Sequence, residues 1–276
     1  MPLIEMRDLN VTLDLPDGPL QVVKNVSLAI EKGEIFGIVG ESGSGKTMTC
    51  NTLLGLTPPS AKVTATALTL GTYDLQKRPW VQIRGQEVAM IFQDPAAALN
   101  PVFTIAQQID AVLRQHSDLK KVGRKARIIE LLQNVGLPDP ERTAASYPHQ
   151  ISGGMQQRAL IAMALSAGAN VLIADEPTTA LDVTVQAQIL TLLRTLRDKH
   201  GLTIILVSHD LAVVSQICDR VGVMLHGEIV ETGHVHDVLQ NPQHDYTKAL
   251  LGSAPRAGSR GTPLPTVAAQ MIGQGQ

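Results

Sequence analysis

The stretch GESGSGKT, Gly40 to Thr47, constrains this chain more than any other. It fits the pattern G-x-x-x-x-G-K-[ST], a loop whose backbone wraps around phosphate. Glycines at 40, 43 and 45 allow angles that bulkier residues resist, so successive N–H groups can turn inward around an anion. The nucleotide-binding candidates are therefore Gly40, Glu41, Ser42, Gly43, Ser44, Gly45, Lys46 and Thr47. Lys46 is placed to reach the outer phosphates, and the Thr47 hydroxyl to bind an accompanying Mg²⁺. The flanks agree. IFGIVG (Ile35 to Gly40) reads as a buried strand and KTMTCNTLLG (Lys46 to Gly55) as a helix closed by glycine, whose positive end adds to the site.

With 276 residues, 44% hydrophobic and 17% charged, the chain has material for one large domain, or one with a small appendage. Lys plus Arg number 23 against 25 Asp plus Glu, so no global basic field exists and bulk nucleic-acid binding is disfavoured. Apolar runs such as TIILV (Thr203 to Val207) are far too short to cross a bilayer. The N-terminal MPLIEMRDLN lacks the layout of a secretory signal. Cys50 and Cys218 offer neither metal spacing nor a disulfide framework and read as core residues. The expectation is a soluble protein of the reducing cytoplasm.

Along the chain, LIEMRDLNVTLDL and LQVVKNVSLAI are β-rich runs separated by a hairpin signal at Asp17-Gly18. Residues 56–87 are poorly patterned. VAMIF (Val88 to Phe92) is the next buried strand and delivers Gln93, after which Pro95 and Pro101 argue for a loop. Two helices follow without an intervening strand. The second has Val122, Ala126, Ile129, Leu132 and Val135 on its apolar face and stops at Gly136. A helical subdomain inserted over about 96–160 is the simplest account. Alternation then resumes: ISGGMQQRALIAMAL (loop into helix), VLIAD (strand), a helix carrying Val185, Ile189, Leu192 and Leu196, TIILVSH (strand), LAVVSQI (helix), and a hairpin turning at His226-Gly227. Such alternation implies an α/β fold built on a mostly parallel sheet. From 252 to 276 the composition reads as a flexible tail.

Asp175 ends the VLIAD strand, where an acid can hold Mg²⁺. Glu176 comes one residue later; adjacent strand residues point oppositely, so it is free to polarise an attacking water. ISGGMQQR (Ile151 to Arg158) opens another helix, and Ser152, Gly153 and Gly154 offer a hydroxyl, backbone amides and a positive helix end. One sheet edge cannot bring two such helix ends to a single triphosphate, so this element suits a nucleotide held by another copy or a partner. His209 alone would be an ordinary polar strand end, and His234 and His236 read as surface residues.

Together these stretches, over about residues 3–251, resemble the ATP-binding-cassette ATPases. GESGSGKT is similar to their Walker A, Gln93 in IFQDP to their Q-loop, and ISGGMQQR to their signature. VLIADEP is similar to the Walker B with its catalytic glutamate, ALD (Ala180 to Asp182) to the D-loop, and VSHD to the H-loop. The resemblance implies a P-loop NTPase core over 1–251, with an N-terminal antiparallel β subdomain and the inserted helical one. It implies ATP and Mg²⁺ as cofactors, with Thr47, Gln93 and Asp175 at the metal and Lys46, Glu176 and His209 in catalysis. It also implies a head-to-tail pairing with a second ATPase, copy or paralogue.

The run EIVETGHVHDVLQNPQHDYTKALL resembles the extension of the peptide/nickel (oligopeptide and dipeptide) importers. That subfamily implies two membrane permease subunits, an external or periplasmic solute-binding protein, and a peripheral seat on the cytoplasmic face of the cell membrane. No nucleic-acid partner is implied. Three departures stand out. Ile151 and Gln156 replace the usual Leu and Arg of the signature, and the tail lacks clustered cysteines. Leu13 stands where an aromatic would stack on adenine, with Phe36 and Tyr73 as the alternative rings.

Overall fold

Ile35–Val39 has no exposed side chain, and its Ile35, Phe36, Ile38 and Val39 are all 0% exposed. A strand covered on both faces is what a continuous apolar run with branched residues dictates. The computed structural model describes residues 2–179 and 181–253. The expected tail over 252–276 therefore lies, from 254 onward, outside the described residues.

In chain order, β1 (Ile4–Leu15) and β2 (Gly18–Ile30) form a hairpin in which Leu15 faces Gly18. The turn is thus Pro16-Asp17, one residue earlier than expected: proline sets the first turn angle, and Gly18, at φ 114, begins the return strand. Next come β3 (Ile35–Val39) and α1 (Lys46–Leu54), which Gly55 closes at φ 61. The stretch left unassigned supplies β4 (Ala61–Thr64), β5 (Ala67–Leu70), β6 (Tyr73–Asp74) and α2 (Trp80–Ile83), each too short to show a period.

After β7 (Val88–Ile91), Pro95 does not keep a loop open. It occupies the first position of α3 (Pro95–Ala98), where its missing N–H has no cost, and Asp94 caps the helix. Then follow α4 (Ile105–His116), α5 (Lys121–Asn134), α6 (Pro140–Ala145), α7 (Gly153–Leu165), β8 (Val171–Asp175), α8 (Val183–His200) and β9 (Thr203–Ser208). The chain ends its described course through α9 (Leu211–Ile217), β10 (Arg220–Leu225), β11 (Glu228–His234), α10 (Val235–Gln240) and α11 (Asp245–Ser253).

Two compact units result, one from the residues up to Arg78 and from Leu206 on, the other from Pro79–Ile205. In the first, β1, β2, β4, β5 and β6 make an antiparallel sheet. Separately, β3 runs parallel to β10, and β11 returns antiparallel along β10. The β10–β11 turn uses His226 at φ 48 and Gly227 at φ 92, the paired left-handed geometry that suits a two-residue hairpin. Arg220 covers the Phe36 ring at 5.4 Å and pairs with the nearly buried Glu34 at 3.2 Å.

In the second unit β7 and β8 run parallel, and α3–α7 lie between them in sequence. On α4, Ile105, Ile109 and Leu113 are buried one turn apart, behind a Thr104–Gln107 capping box. The apolar face of α5 holds as expected at its end and shifts at its start: Leu132 and Val135 are buried, joined by Ile128 and Leu131, whereas Val122 is 82% exposed and Ala126 is also exposed. Arg124 explains the shift. It reaches Asp110 of α4 at 2.6 Å and fixes that end of α5 through polar contact. This pairing, with Arg114 and against the effect of burial, holds the Asp110 carboxyl below the usual carboxylate range.

In the first unit α9 packs closely on β3 at Gly37, where an added Cβ would lie 2.8 Å from Val214 Cγ1 and 3.1 Å from Cys218 Sγ. Gly37→Ala is expected to lower stability by about 1–3 kcal/mol, because α9 must move off β3. A urea midpoint equal to that of the parent protein would show that the contact relaxes at no cost.

Candidate functional site

The first unit carries the glycine-rich loop. Gly40 takes φ 154, and a Cβ there would fall 2.1 Å from the carbonyl oxygen of Met224. Gly45 takes φ 106, with Val22 O only 2.6 Å from its Cβ position. Both glycines are thus required by backbone packed against backbone; Gly43, at φ 81, is required by conformation alone. Lys46 is 5% exposed, and its Nζ donates to Gly40 O and Glu41 O, both at 2.8 Å. No side chain caps α1, which starts at Lys46. The buried Ser44 hydroxyl has no hydrogen-bond partner among the described residues. A buried hydroxyl awaiting a partner, an ammonium and an uncapped helix start together fit an anion.

Other expected residues take definite places. Thr47 is exposed in the first turn of α1. His209 is exposed between β9 and α9, in a turn closed by Asp210 N–H donating to Ser208 Oγ at 2.9 Å. The Glu41 N–H, taken from sequence as part of the phosphate cradle, donates to the Tyr246 hydroxyl at 3.1 Å; Glu41 serves the loop through its carbonyl. Tyr246 was missed by sequence reasoning. Nothing local signals a contact between residues 205 positions apart.

Leu13 faces Leu20 across the hairpin and Ala61 on β4, within an aliphatic surface that includes Leu20 at 51% exposure. Phe36 is not an alternative ring for a base, since it is 0% exposed and lies under Arg220. Tyr73 is half-buried on β6.

In the second unit, β8 delivers a nearly buried Asp175. Glu176 does not continue the strand, as the alternation argument required. It turns left-handed at φ 46, a conformation costing about 1–2 kcal/mol for a residue with a Cβ. Its carboxylate accepts Gln93 Nε2 and Thr179 Oγ1, both at 2.9 Å. Gln93 and Glu176, picked separately from sequence, are thus brought together.

Ser152 caps α7 by accepting Met155 N–H at 3.4 Å, and Asp182 caps α8 by accepting Thr184 and Val185 N–H, both at 3.0 Å. Gln156, at the departure from the usual signature, donates to Pro148 O at 2.9 Å and to Ile151 O, tying down the loop before α7. Ala180 lies outside the described residues. Among the described residues no three His, Cys, Asp or Glu side chains gather as a metal cage, and His234 and His236 are exposed. Cys50 and Cys218 are buried, and burial pushes the Cys218 thiol well above its ordinary range.

Residues 23–179 match the ABC transporter family, and residues 230–275 match the oligopeptide/dipeptide transporter C-terminal region. The chain is similar to the dipeptide transport ATP-binding protein DppD of Bacillus subtilis (strain 168), 46% identical over 266 residues, covering 95% of this chain and 79% of that one. It is also similar to the oligopeptide transport ATP-binding protein OppD of the same organism, 44% identical, covering 94% and 74% respectively. Among solved structures it resembles the dimeric ATP-binding cassette MJ0796 in a post-hydrolysis state bound to ADP and Pi. That match has a TM-score of 0.70 at 28% identity, over 84% of this chain and 98% of the other.

The starts of α7 and α8 abut at Gly154, where an added Cβ would meet Val185 Cγ1 at 2.7 Å. Gly154→Ala should therefore destabilise the protein, and combination with Val185→Ala should recover at least about 1 kcal/mol of that loss. Thermal melts of the two single variants and the double variant measure the coupling; additive effects would mean the two helix starts do not constrain each other.

Proposed function

This chain belongs to the ABC transporter family, and on that premise we propose that it is the ATP-hydrolysing subunit of an importer of small peptides or related solutes. The observation that carries the reading is Lys46, an almost buried ammonium held by Gly40 O and Glu41 O above an uncapped helix start. The described residues include no helix long and apolar enough to cross a membrane. We assign the crossing to two permease subunits, with this chain peripheral on their cytoplasmic side. A solute-binding protein outside the membrane selects the cargo. Residues 1–251 are the cassette, with its helical part over about 96–160.

In this reading the loop from Gly40 to Thr47 grips the phosphates of ATP, and Lys46 meets the outer ones. Hydroxyl and carboxylate oxygens are the ligands Mg²⁺ prefers, so Thr47 and Asp175 would hold the ion, aided by the Gln93 side-chain oxygen. When bound, Mg²⁺ neutralises charge on the phosphates. Glu176 takes the proton of the attacking water; Gln93 and Thr179 aim its carboxylate. His209 orients the reacting groups. Ser152, Gly153 and Gly154 serve the nucleotide of a second ATPase subunit, copy or paralogue, with Asp182 near that junction.

Two substitutions separate binding from chemistry. Lys46→Ala should weaken ATP binding and abolish hydrolysis. Glu176→Gln should leave ATP binding intact and slow hydrolysis at least about hundredfold, as expected for loss of a general base. Phosphate release and equilibrium ATP binding measure both; hydrolysis by Glu176→Gln at the parental rate removes Glu176 from its role.

The aliphatic surface at Leu13 should make the base a minor part of recognition. Without a ring to stack on, about 1 kcal/mol of contact is missing, less than about tenfold in affinity. GTP is expected to compete measurably with ATP, and Leu13→Tyr to tighten ATP binding. Strong ATP preference with no gain in the variant would point to base contacts elsewhere.

A further inference from the structure

We propose that Tyr246, in the C-terminal extension, is a positioning residue for the phosphate loop: its hydroxyl fixes the Glu41 peptide, and through it the carbonyl on which Lys46 rests. This deepens the ATPase assignment and rests on it.

Tyr246 is 0% exposed, so its ring is clamped on all sides, yet it ends in a hydroxyl. A phenol buried so completely keeps its hydroxyl favourably only where that group is bonded. Here it accepts the Glu41 N–H at 3.1 Å. The Glu41 carbonyl accepts Lys46 Nζ at 2.8 Å and the Ser44 N–H at 3.1 Å. Both sides of this residue are thus engaged, although its side chain is exposed.

The backbone that carries the ring is itself held. Glu231 on β11 accepts the N–H groups of Gln243 at 2.8 Å and His244 at 3.0 Å, and His244 Nδ1 accepts the Tyr246 N–H at 3.1 Å. Burial opposes charge on Glu231, but the Gln243 and His244 N–H groups overcome it and hold the carboxyl below its usual range. Burial also raises the Tyr246 phenol, which keeps it a neutral hydroxyl near pH 7. The relay Glu231–His244–Tyr246–Glu41–Lys46 lies entirely within the first compact unit. Its effect is preorganisation: a loop already ordered loses less entropy when a nucleotide arrives.

The test is Tyr246→Phe in the full chain, which keeps the ring and removes only the oxygen. Loss of one neutral hydrogen bond should weaken ATP binding about three- to tenfold. KM should rise more than kcat falls, and amide exchange at Glu41 should accelerate in the nucleotide-free protein. Lys248→Ala, an exposed change on the same helix, should leave all three unchanged. Glu231→Gln, which loosens the support without touching the ring, should shift affinity in the same direction by less and serves if Tyr246→Phe melts early. Parental ATP affinity in a well-folded Tyr246→Phe overturns the proposal. A parent protein that binds no ATP would defeat the ATPase assignment instead; Glu41 exchange still decides then, and an unchanged rate in Tyr246→Phe removes the positioning role.

Discussion

The nearly buried Lys46 ammonium is the interaction on which the rest of the phosphate site depends. Withdrawing an ammonium from water costs several kcal/mol unless hydrogen bonds replace the lost hydration. Gly40 O and Glu41 O do so, but only if the loop doubles back over its own helix. That path needs Gly40 and Gly45 at angles with positive φ, and it is held in place by Met224 O and Val22 O pressing where side chains would otherwise be. The loop is therefore shaped from outside by the backbones of β10 and β2. The fully buried β3 gives it a rigid base.

The same economy recurs at helix starts. Asp182, Ser152 and Asp210 each satisfy backbone N–H in the first turn of a helix; the first two are themselves placed at the proposed subunit junction, and Asp210 follows His209. Capping needs short polar side chains at a fixed non-helical angle, so it orders the backbone where function needs order. Glu176 shows the opposite device. Its left-handed angle is strained, and bonds from Gln93 and Thr179 hold the carboxylate that the strain presents.

What was legible in the sequence is what local chemistry determines. The glycine spacing gave the loop, the apolar runs gave β3, β8 and β9, and Gly55, Gly136 and Gly201 marked helix ends that the structure places at left-handed angles. Position-by-position alternation failed at Glu176 because a single turned residue ends the strand. Helical periodicity found Leu132 and Val135 of α5 but misjudged its start, where Arg124, a polar residue, does the anchoring. The strands within 56–87 were hidden by brevity, and Pro95 was misread because proline both ends loops and begins helices. Tyr246 was out of reach altogether, since a hydrogen bond spanning 205 positions leaves no local trace.

The chemistry is divided between two compact units. Lys46, its loop and the Tyr246 relay belong to one unit, whereas the Gln93–Glu176 pair and the Ser152 cap belong to the other. The bonds from Lys46 and Tyr246 that shape the loop are different ones from those that hold the Glu176 carboxylate. Tyr246, in the C-terminal extension, bonds the loop at Glu41. A region similar to the C-terminal part of oligopeptide/dipeptide transporters thus reaches the glycine-rich loop through this hydrogen bond. In the proposed function Lys46, Glu176 and the helix caps serve phosphate, a proton and helix junctions, which leaves choice of cargo to the proteins the chain would energise.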